Sequence, residues 1–276
     1  MDDIRFVHLS DIHLTPARNK NIYGMTIDRT KKFHKIFEDI LRRQIKPHFF
    51  VISGDLIHEG TADDYRELKK LIEEKEDLLG VPGFVCLGNH DDRPAFWQGY
   101  KNQTEDPRRE YYYSVMLGDL RLIVLDSKSE GREEGELSDQ QLNWLGEQLN
   151  HPAPMGTIIV LHHPLQSAPL HFMRYSILQN TAQLIPLLEN KGVLAVLSGH
   201  IHFYASYPVA GILNSVVSAV SYGIDCTDKR VHKFMDDSGY QIVSIKDGQV
   251  MTQQWPLAAS KAISYQLALT EEWTGK

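Results

Sequence analysis

Phe6-Val7-His8-Leu9-Ser10-Asp11-Ile12-His13 is an apolar run that stops on residues able to ligate a metal, and the chain repeats this arrangement at four further places. Phe49-Phe50-Val51-Ile52 leads into Ser53-Gly54-Asp55, and Phe84-Val85-Cys86-Leu87 into Gly88-Asn89-His90-Asp91. Ile158-Ile159-Val160-Leu161 leads into His162-His163-Pro164, and Val193-Leu194-Ala195-Val196-Leu197 into Ser198-Gly199-His200-Ile201-His202. Short apolar runs rich in β-branched and aromatic residues, bounded by turn formers, read as buried strands. Five of them, each ending on Asp, Asn or His, indicate strand ends that converge on a shared site, which is where open α/β sheets hold their ligands.

The segments between these runs complete an α/β pattern. Thr26 to Lys46 places Ile27, Phe33, Ile36, Phe37, Ile40 and Leu41 at near-helical spacing and stops before Pro47. A second helix is expected after Thr61 as N-cap, with Asp63, Asp64 and Glu67 in its first turns and Gly80 at its end. Ser138 to Leu149 and Thr181 to Asn190 are expected as a third and a fourth. Arg121 to Leu125 and Leu213 to Val220 read as strands, and Asp247-Gly248 turns a hairpin between Tyr240–Ile245 and Gln249–Trp255. Alternating strands and helices followed by a strand-rich final third suggest a sheet sandwich with helices outside. We expect one domain over 1–276, with a C-terminal extension from about 256 to 276. The segment 166–180 leaves directly from the fourth run and is a candidate lid over the site.

A chain of 276 residues with 42% hydrophobic and 24% charged residues has the composition of a globular protein with a sizeable core. The net charge of −7 argues against an extended phosphate-backbone surface for nucleic acid. No apolar stretch is long enough to insert in a bilayer, and Met1-Asp2-Asp3-Ile4-Arg5 lacks a signal-peptide layout, so the expectation is a cytoplasmic protein. Cys86 and Cys226, the only cysteines, read as reduced thiols.

Asp and His together suit manganese, iron, zinc or cobalt: hard carboxylate oxygen and borderline imidazole nitrogen, with no thiolate to narrow the choice. In Asp11-x-His13 and His200-x-His202 the spacing of two keeps both side chains on one face at a strand end. Gly54, Gly88 and Gly199 each precede one of these polar residues, where the backbone must turn sharply and leave room.

Asp-x-His, Gly-Asp, Gly-Asn-His-Asp, His-His-Pro and Gly-His-x-His, in that order, resemble the motif set of the calcineurin-like metallophosphoesterases. Tyr23-Gly24, Asp91-Asp92-Arg93 and Gly135-Glu136-Leu137-Ser138 look like the branch that holds class III cyclic-nucleotide phosphodiesterases and bacterial glycerophosphodiesterases. The resemblance covers about residues 4 to 255 and implies a four-layer αββα sandwich with a dinuclear metal site. It implies one metal held by Asp11, His13, Asp55 and His202, and another by Asp55, Asn89, His162 and His200, with Asp55 bridging. It further implies that a hydroxide held between two cations about 3.5–4 Å apart attacks phosphorus. His90 would stand beside the metals as hydrogen-bond donor or general acid, and Asp91 would orient it. The His-x-Pro spacing selects His162 as the ligand and leaves His163 as a neighbour able to touch substrate.

Other residues have plainer readings. His8 sits mid-strand as a core histidine, His34, His48, His151 and His232 as surface or boundary residues, and His58, within reach of the cleft just past Asp55, reads rather as a loop histidine. His171, Phe172 and Tyr175 on the candidate lid are substrate-contact candidates; packing against the body or across a homodimer or higher-oligomer interface accounts for them equally. The acidic stretch Glu130 to Glu136 reads as a solvated loop. The leading expectation is a phosphodiesterase of small molecules, with cyclic nucleotides and glycerophosphodiesters both open. A phosphomonoesterase is the alternative, and a non-catalytic scaffold on the same fold should have lost positions that are all filled here.

The two implied metal sites differ in charge. The first has two carboxylates and two imidazoles; the second shares one carboxylate and adds neutral donors, one a weak amide. The second metal is expected to bind less tightly and to be partly lost on purification. Metal titration giving equal affinities, or tighter binding at the Asn89 set, would contradict this.

Overall fold

A computed structural model describes residues 3–14, 25, 27–228 and 230–269. Its first sheet has the order β13-β12-β1-β2-β3. It comprises β1 (Asp3–Leu9), β2 (Phe50–Ser53), β3 (Gly83–Cys86), β12 (Gly239–Lys246) and β13 (Gln249–Pro256). The second has the order β4-β5-β6-β7-β9-β8. It comprises β4 (Tyr113–Leu117), β5 (Leu120–Val124), β6 (Gly156–Val160), β7 (Val193–Ser198), β8 (Ala205–Val209) and β9 (Ile212–Val216). β1, β2 and β3 are mutually parallel, as are β5, β6, β7 and β9.

Strand alternation builds the layers. Ile4, Phe6, Phe49 and Val51 from the first sheet meet Leu122, Val124, Ile158, Val160 and Leu197 from the second in one buried cluster. The alternate residues face outward: Val7, Leu9, Phe50 and Ile52 pack under Phe33, Ile36, Phe37, Tyr65, Leu68 and Phe96. Those side chains belong to α1 (Arg29–Arg42), α2 (Ala62–Leu79) and α3 (Arg93–Gly99). Ile123, Ile159, Leu161 and Val196 pack under Leu142, Leu145, Leu184 and Leu188, carried by α4 (Asp139–Leu149) and α5 (Thr181–Leu188). A period of two along a strand thus feeds two cores at once, and the result is the expected αββα sandwich.

The helix boundaries follow local chemistry. Thr61 and Asp64 form a capping box on α2, and Gly80 closes it in the left-handed region (φ 68°). Ser138 Oγ accepts from Gln141 N to start α4. α1 is shorter than the expected span: Asp28 caps it by accepting from Lys31 N, and Gln44 turns left-handed (φ 56°) soon after its end. Thr26, Tyr23 and Gly24 lie outside the described residues. The strand expected at Leu213–Val220 stops at Val216. Beyond it the chain crosses between the sheets, Val217 N donating to Ser198 O, Val220 N to Ser10 O and Ser221 N to Asp11 O.

The expected C-terminal extension is partly integral. β14 (Ile263–Ala268) pairs antiparallel with β11 (Val231–Met235), which pairs with β10 (Gly223–Asp225). Their small third sheet was not anticipated, because its strands are short and β14, at its edge, is mostly exposed and lacks a clean alternation. α3 was missed as well: seven residues with Pro near the start carry little periodicity.

Phe50 lies fully buried at the end of β2 remote from Asp55, its ring edge-on to Phe37 at 5.4 Å. Phe50→Ala is expected to lower stability by about 3–5 kcal/mol in urea denaturation while leaving metal binding by the refolded protein unchanged; a lost metal site would mean that the sheet edge and the core are not separable.

Candidate metal centre

Loops after the C-terminal ends of β1, β2, β3, β6 and β7 meet at one edge of the sandwich. They are stitched together by main-chain bonds: Asp11 N donates to Gly54 O, His13 N to Asp55 O, and Gly199 N to His162 O. Asp11 (φ 54°), His13 (φ 42°), Asp55 (φ 49°), His200 (φ 70°) and His202 (φ 58°) all adopt left-handed backbone. Each such residue carries a cost of roughly 1–2 kcal/mol, and their clustering marks a place where the fold holds strain for function. Two glycines make the approach feasible. A Cβ on Gly88 would strike Asp55 Oδ1 and lie 2.8 Å from His162 Nε2; one on Gly199 would strike Ser10 Oγ and lie 2.5 Å from Asp11 Oδ2.

The carboxylates are each held by one oxygen and left open at the other. His200 N donates to Asp11 Oδ2 at 2.9 Å, and His90 N to Asp55 Oδ1 at 3.0 Å. Asp55 Oδ2 then lies 3.2 Å from His13 Nε2 and 3.3 Å from His162 Nε2. On one side, His13 Nε2 is 3.2 Å from His202 Nε2, which is 3.3 Å from Asp11 Oδ1. On the other, His162 Nε2 is 3.1 Å from both Asn89 Oδ1 and His200 Nδ1. Two donor sets therefore share one oxygen. The rings of His162 and His202 are oriented from behind, their Nδ1 atoms donating to Ser53 O (2.7 Å) and Tyr222 O (2.8 Å), as backbone carbonyls commonly orient metal-binding imidazoles.

The electrostatics fit cations. Asp11 Oδ1 is buried and has no hydrogen-bond partner among the described residues. Burial pushes His13 and His200 well below the usual imidazole range, so both are neutral and offer lone pairs. Burial pulls Asp55 the other way, but His162, His90 and His13 outweigh it and hold the carboxyl well below its usual range. Burial likewise opposes charge on His162, and the Asp55 and Asp11 carboxylates overcome it, raising the imidazole to about 9. In the metal-free centre His162 is thus a proton held where a cation would sit, and metal uptake must expel it.

His163 belongs to a compact group with His162 and His200, all buried. Its own nitrogens are engaged elsewhere, Nδ1 with Ser127 Oγ (2.8 Å) and Nε2 with Glu133 O (3.1 Å), so His162 is the better-placed donor. Asp91 does not meet the His90 ring. Its carboxylate accepts from Leu56 N, Ile57 N, Gly88 N and Tyr65 OH, tying the second site loop to the third, and burial followed by the Asp55 charge pushes it up to about 6. His8 is a core histidine: burial lowers it to about 4, and its Nε2 meets Ser53 Oγ at 2.8 Å.

Beside the donors opens a cleft lined by Asp55, His90, His200 and His202, with Met173 and Ser176 from segment 166–180. His171 and Tyr175 line a separate groove instead, and Phe172 stacks on Phe203 at 6.3 Å. Three residues read as plain from the sequence stand at the site. His58 stacks on His90 (centroids 4.4 Å, 27°), and His232 and Glu133 line the cleft. No local pattern marks any of them, since each arrives through tertiary packing; the nearest hint was the three-residue step from Asp55 to His58.

A model of the calcineurin-like phosphoesterase family matches residues 4–204. A cAMP/cGMP dual specificity phosphodiesterase of Mycobacterium tuberculosis is 34% identical over 82% of this chain and 70% of its own length. A probable glycerophosphodiester phosphodiesterase of Arcobacter nitrofigilis is 30% identical over 71% of each chain. In structure the chain resembles a dimetal phosphatase from Danio rerio, with a TM-score of 0.65 over 97% of this chain and 98% of that one, at 14% identity. That last likeness is one of fold alone.

The left-handed backbone yields a test. Asn visits this conformation more readily than other side chains because its short amide hydrogen-bonds locally, and His13 Nδ1 has no partner among the described residues. His13→Asn is expected to stabilise the metal-free protein by about 1 kcal/mol while weakening metal uptake; a metal-free variant that melts below the wild type would refute stored strain at this position.

Proposed function

The chain belongs to the calcineurin-like phosphoesterase family, and from that premise we propose that it is a metal-dependent phosphodiesterase of small-molecule esters. The observation that carries this reading is the single oxygen, Asp55 Oδ2, lying against both His13 and His162. Asp11, His13, Asp55 and His202 would hold one cation; Asp55, Asn89, His162 and His200 the other. The absence of thiolate from both sets suits manganese, iron, zinc or cobalt. Bound cations there would lower the pKa of water and neutralise charge on the phosphoryl oxygens.

The chain's own groups do the rest. His90 is half-buried on the cleft, its backbone N–H pinned to Asp55 and its ring stacked on His58. From there it donates to a phosphoryl oxygen or to the leaving oxygen. Asp91 fixes the relative position of the Asp55 and Asn89 loops. Of the two substrate classes, a cyclic nucleotide is favoured by the cleft wall. Tyr222, Phe234 and Tyr265 meet in tilted and edge-on contacts with centroids 5.6 and 5.2 Å apart, and with Ile224 and Leu267 they line the cleft beside His202, whose ring centroid is 4.3 Å from that of Tyr222. An apolar, aromatic wall favours a nucleobase over a polyol.

Hydrolysis of bis(p-nitrophenyl) phosphate with manganese tests the reaction, and Asp55→Ala is expected to abolish it, whereas retained activity would remove Asp55 from its bridging place. His90→Ala should cut turnover about 10²–10⁴-fold with metal content unchanged; a variant that instead loses metal would make His90 a ligand. Cyclic AMP should be turned over with higher kcat/KM than glycerophosphocholine, and the reverse order would displace the nucleotide reading.

A further inference from the structure

The phosphodiesterase reading leaves one charged group at the cleft without a role. Glu133 lies on the exposed loop between β5 and α4, yet it lines the same cleft as Asp55, His90, His200 and His202. Its placement is not that of a free surface carboxylate. Asn89 Nδ2 donates to its Oε2 at 3.0 Å, and its carbonyl accepts from His163 Nε2 at 3.1 Å. The first bond also fixes the Asn89 amide, turning Oδ1 toward His162 Nε2 at 3.1 Å.

The cations nearby are engaged elsewhere. Arg132 pairs with Glu134 and Glu136, Arg93 with Asp126 and Glu130, and Lys128 Nζ donates to Asn89 O and approaches Glu130. Among the described residues no Lys or Arg pairs with Glu133. A carboxylate without a Lys or Arg partner among the described residues is therefore tethered to one of the donor residues, at the wall of the cleft.

We infer that Glu133 selects the substrate by charge: its carboxylate admits the monoanionic phosphodiester and disfavours the dianionic phosphomonoester. The same repulsion acts on the product, since hydrolysis turns a monoanion into a dianion inside the cleft. One carboxylate thus serves discrimination at entry and release at exit. Through Asn89 it is also a positioning residue.

The two roles separate by substitution. Glu133→Gln keeps an acceptor for Asn89 Nδ2 and removes the charge; Glu133→Ala removes both. With manganese-loaded protein at low ionic strength, Glu133→Gln should raise the ratio of kcat/KM for p-nitrophenyl phosphate over bis(p-nitrophenyl) phosphate about three- to tenfold, the scale of one nearby unit charge in a solvated cleft. Inorganic phosphate should bind more tightly by a similar factor in calorimetry, and both gains should shrink at about 1 M salt, where the Debye length is about 3 Å. Glu133→Ala should also hold less metal, and Glu133→Gln should not. An unchanged substrate ratio together with unchanged phosphate affinity would overturn charge selection. A metal-loaded wild type that hydrolyses neither ester would overturn the phosphodiesterase reading instead, while calorimetry would still report whether the charge repels phosphate.

Discussion

The two carboxylates at the strand ends are gripped by one oxygen and offered by the other, and the rest of the structure serves that arrangement. Backbone N–H groups of His90 and His200 take Asp55 Oδ1 and Asp11 Oδ2. The remaining oxygens lie among imidazole nitrogens; burial keeps His13 and His200 neutral, while the carboxylates raise His162. A buried cluster of lone pairs is an unfavourable state for a protein without cations, because buried polar atoms go unsatisfied and like dipoles face one another. Family membership and local physics agree on what relieves it.

Holding the pocket together requires rigidity from both sheets. The first site loops leave the ends of β1, β2 and β3 and the others leave β6 and β7, so the donors come from opposite layers of the sandwich. They are brought to hydrogen-bond distance by the shared core of Phe6, Val51, Val124 and Val160. Left-handed backbone at five site residues shows that the turns out of the strands are tighter than ordinary side chains prefer. The close fit at Gly88 and Gly199 shows why no Cβ is tolerated behind Asp55 and Asp11. Stability given up at the edge is supplied by the sandwich behind it, a common division between scaffold and site.

The sequence made the sandwich and the donors legible because both are written locally. An apolar run ending on Asp or His carries its own reading, and the caps at Thr61, Gly80 and Ser138 are encoded within a few residues of where they act. The third sheet was not legible, since β14 is an exposed edge strand whose partner lies about thirty residues upstream. The same holds for the residues around the donors. Asp91 was expected to orient His90; its three N–H partners and Tyr65 are set by how loops pack. His58 against His90, and Glu133 against Asn89, join elements with no pattern between them. Motifs report which side chains form the centre; tertiary packing decides which ones tune it.

The claim on which all of this turns is that one oxygen of Asp55 is common to two cations. Electron paramagnetic resonance of the protein loaded with two equivalents of manganese tests it directly. An exchange-coupled spectrum that collapses to an isolated-ion signal in Asp55→Ala is the result expected of a shared carboxylate. Two independent, uncoupled manganese signals in the fully loaded wild type would contradict it.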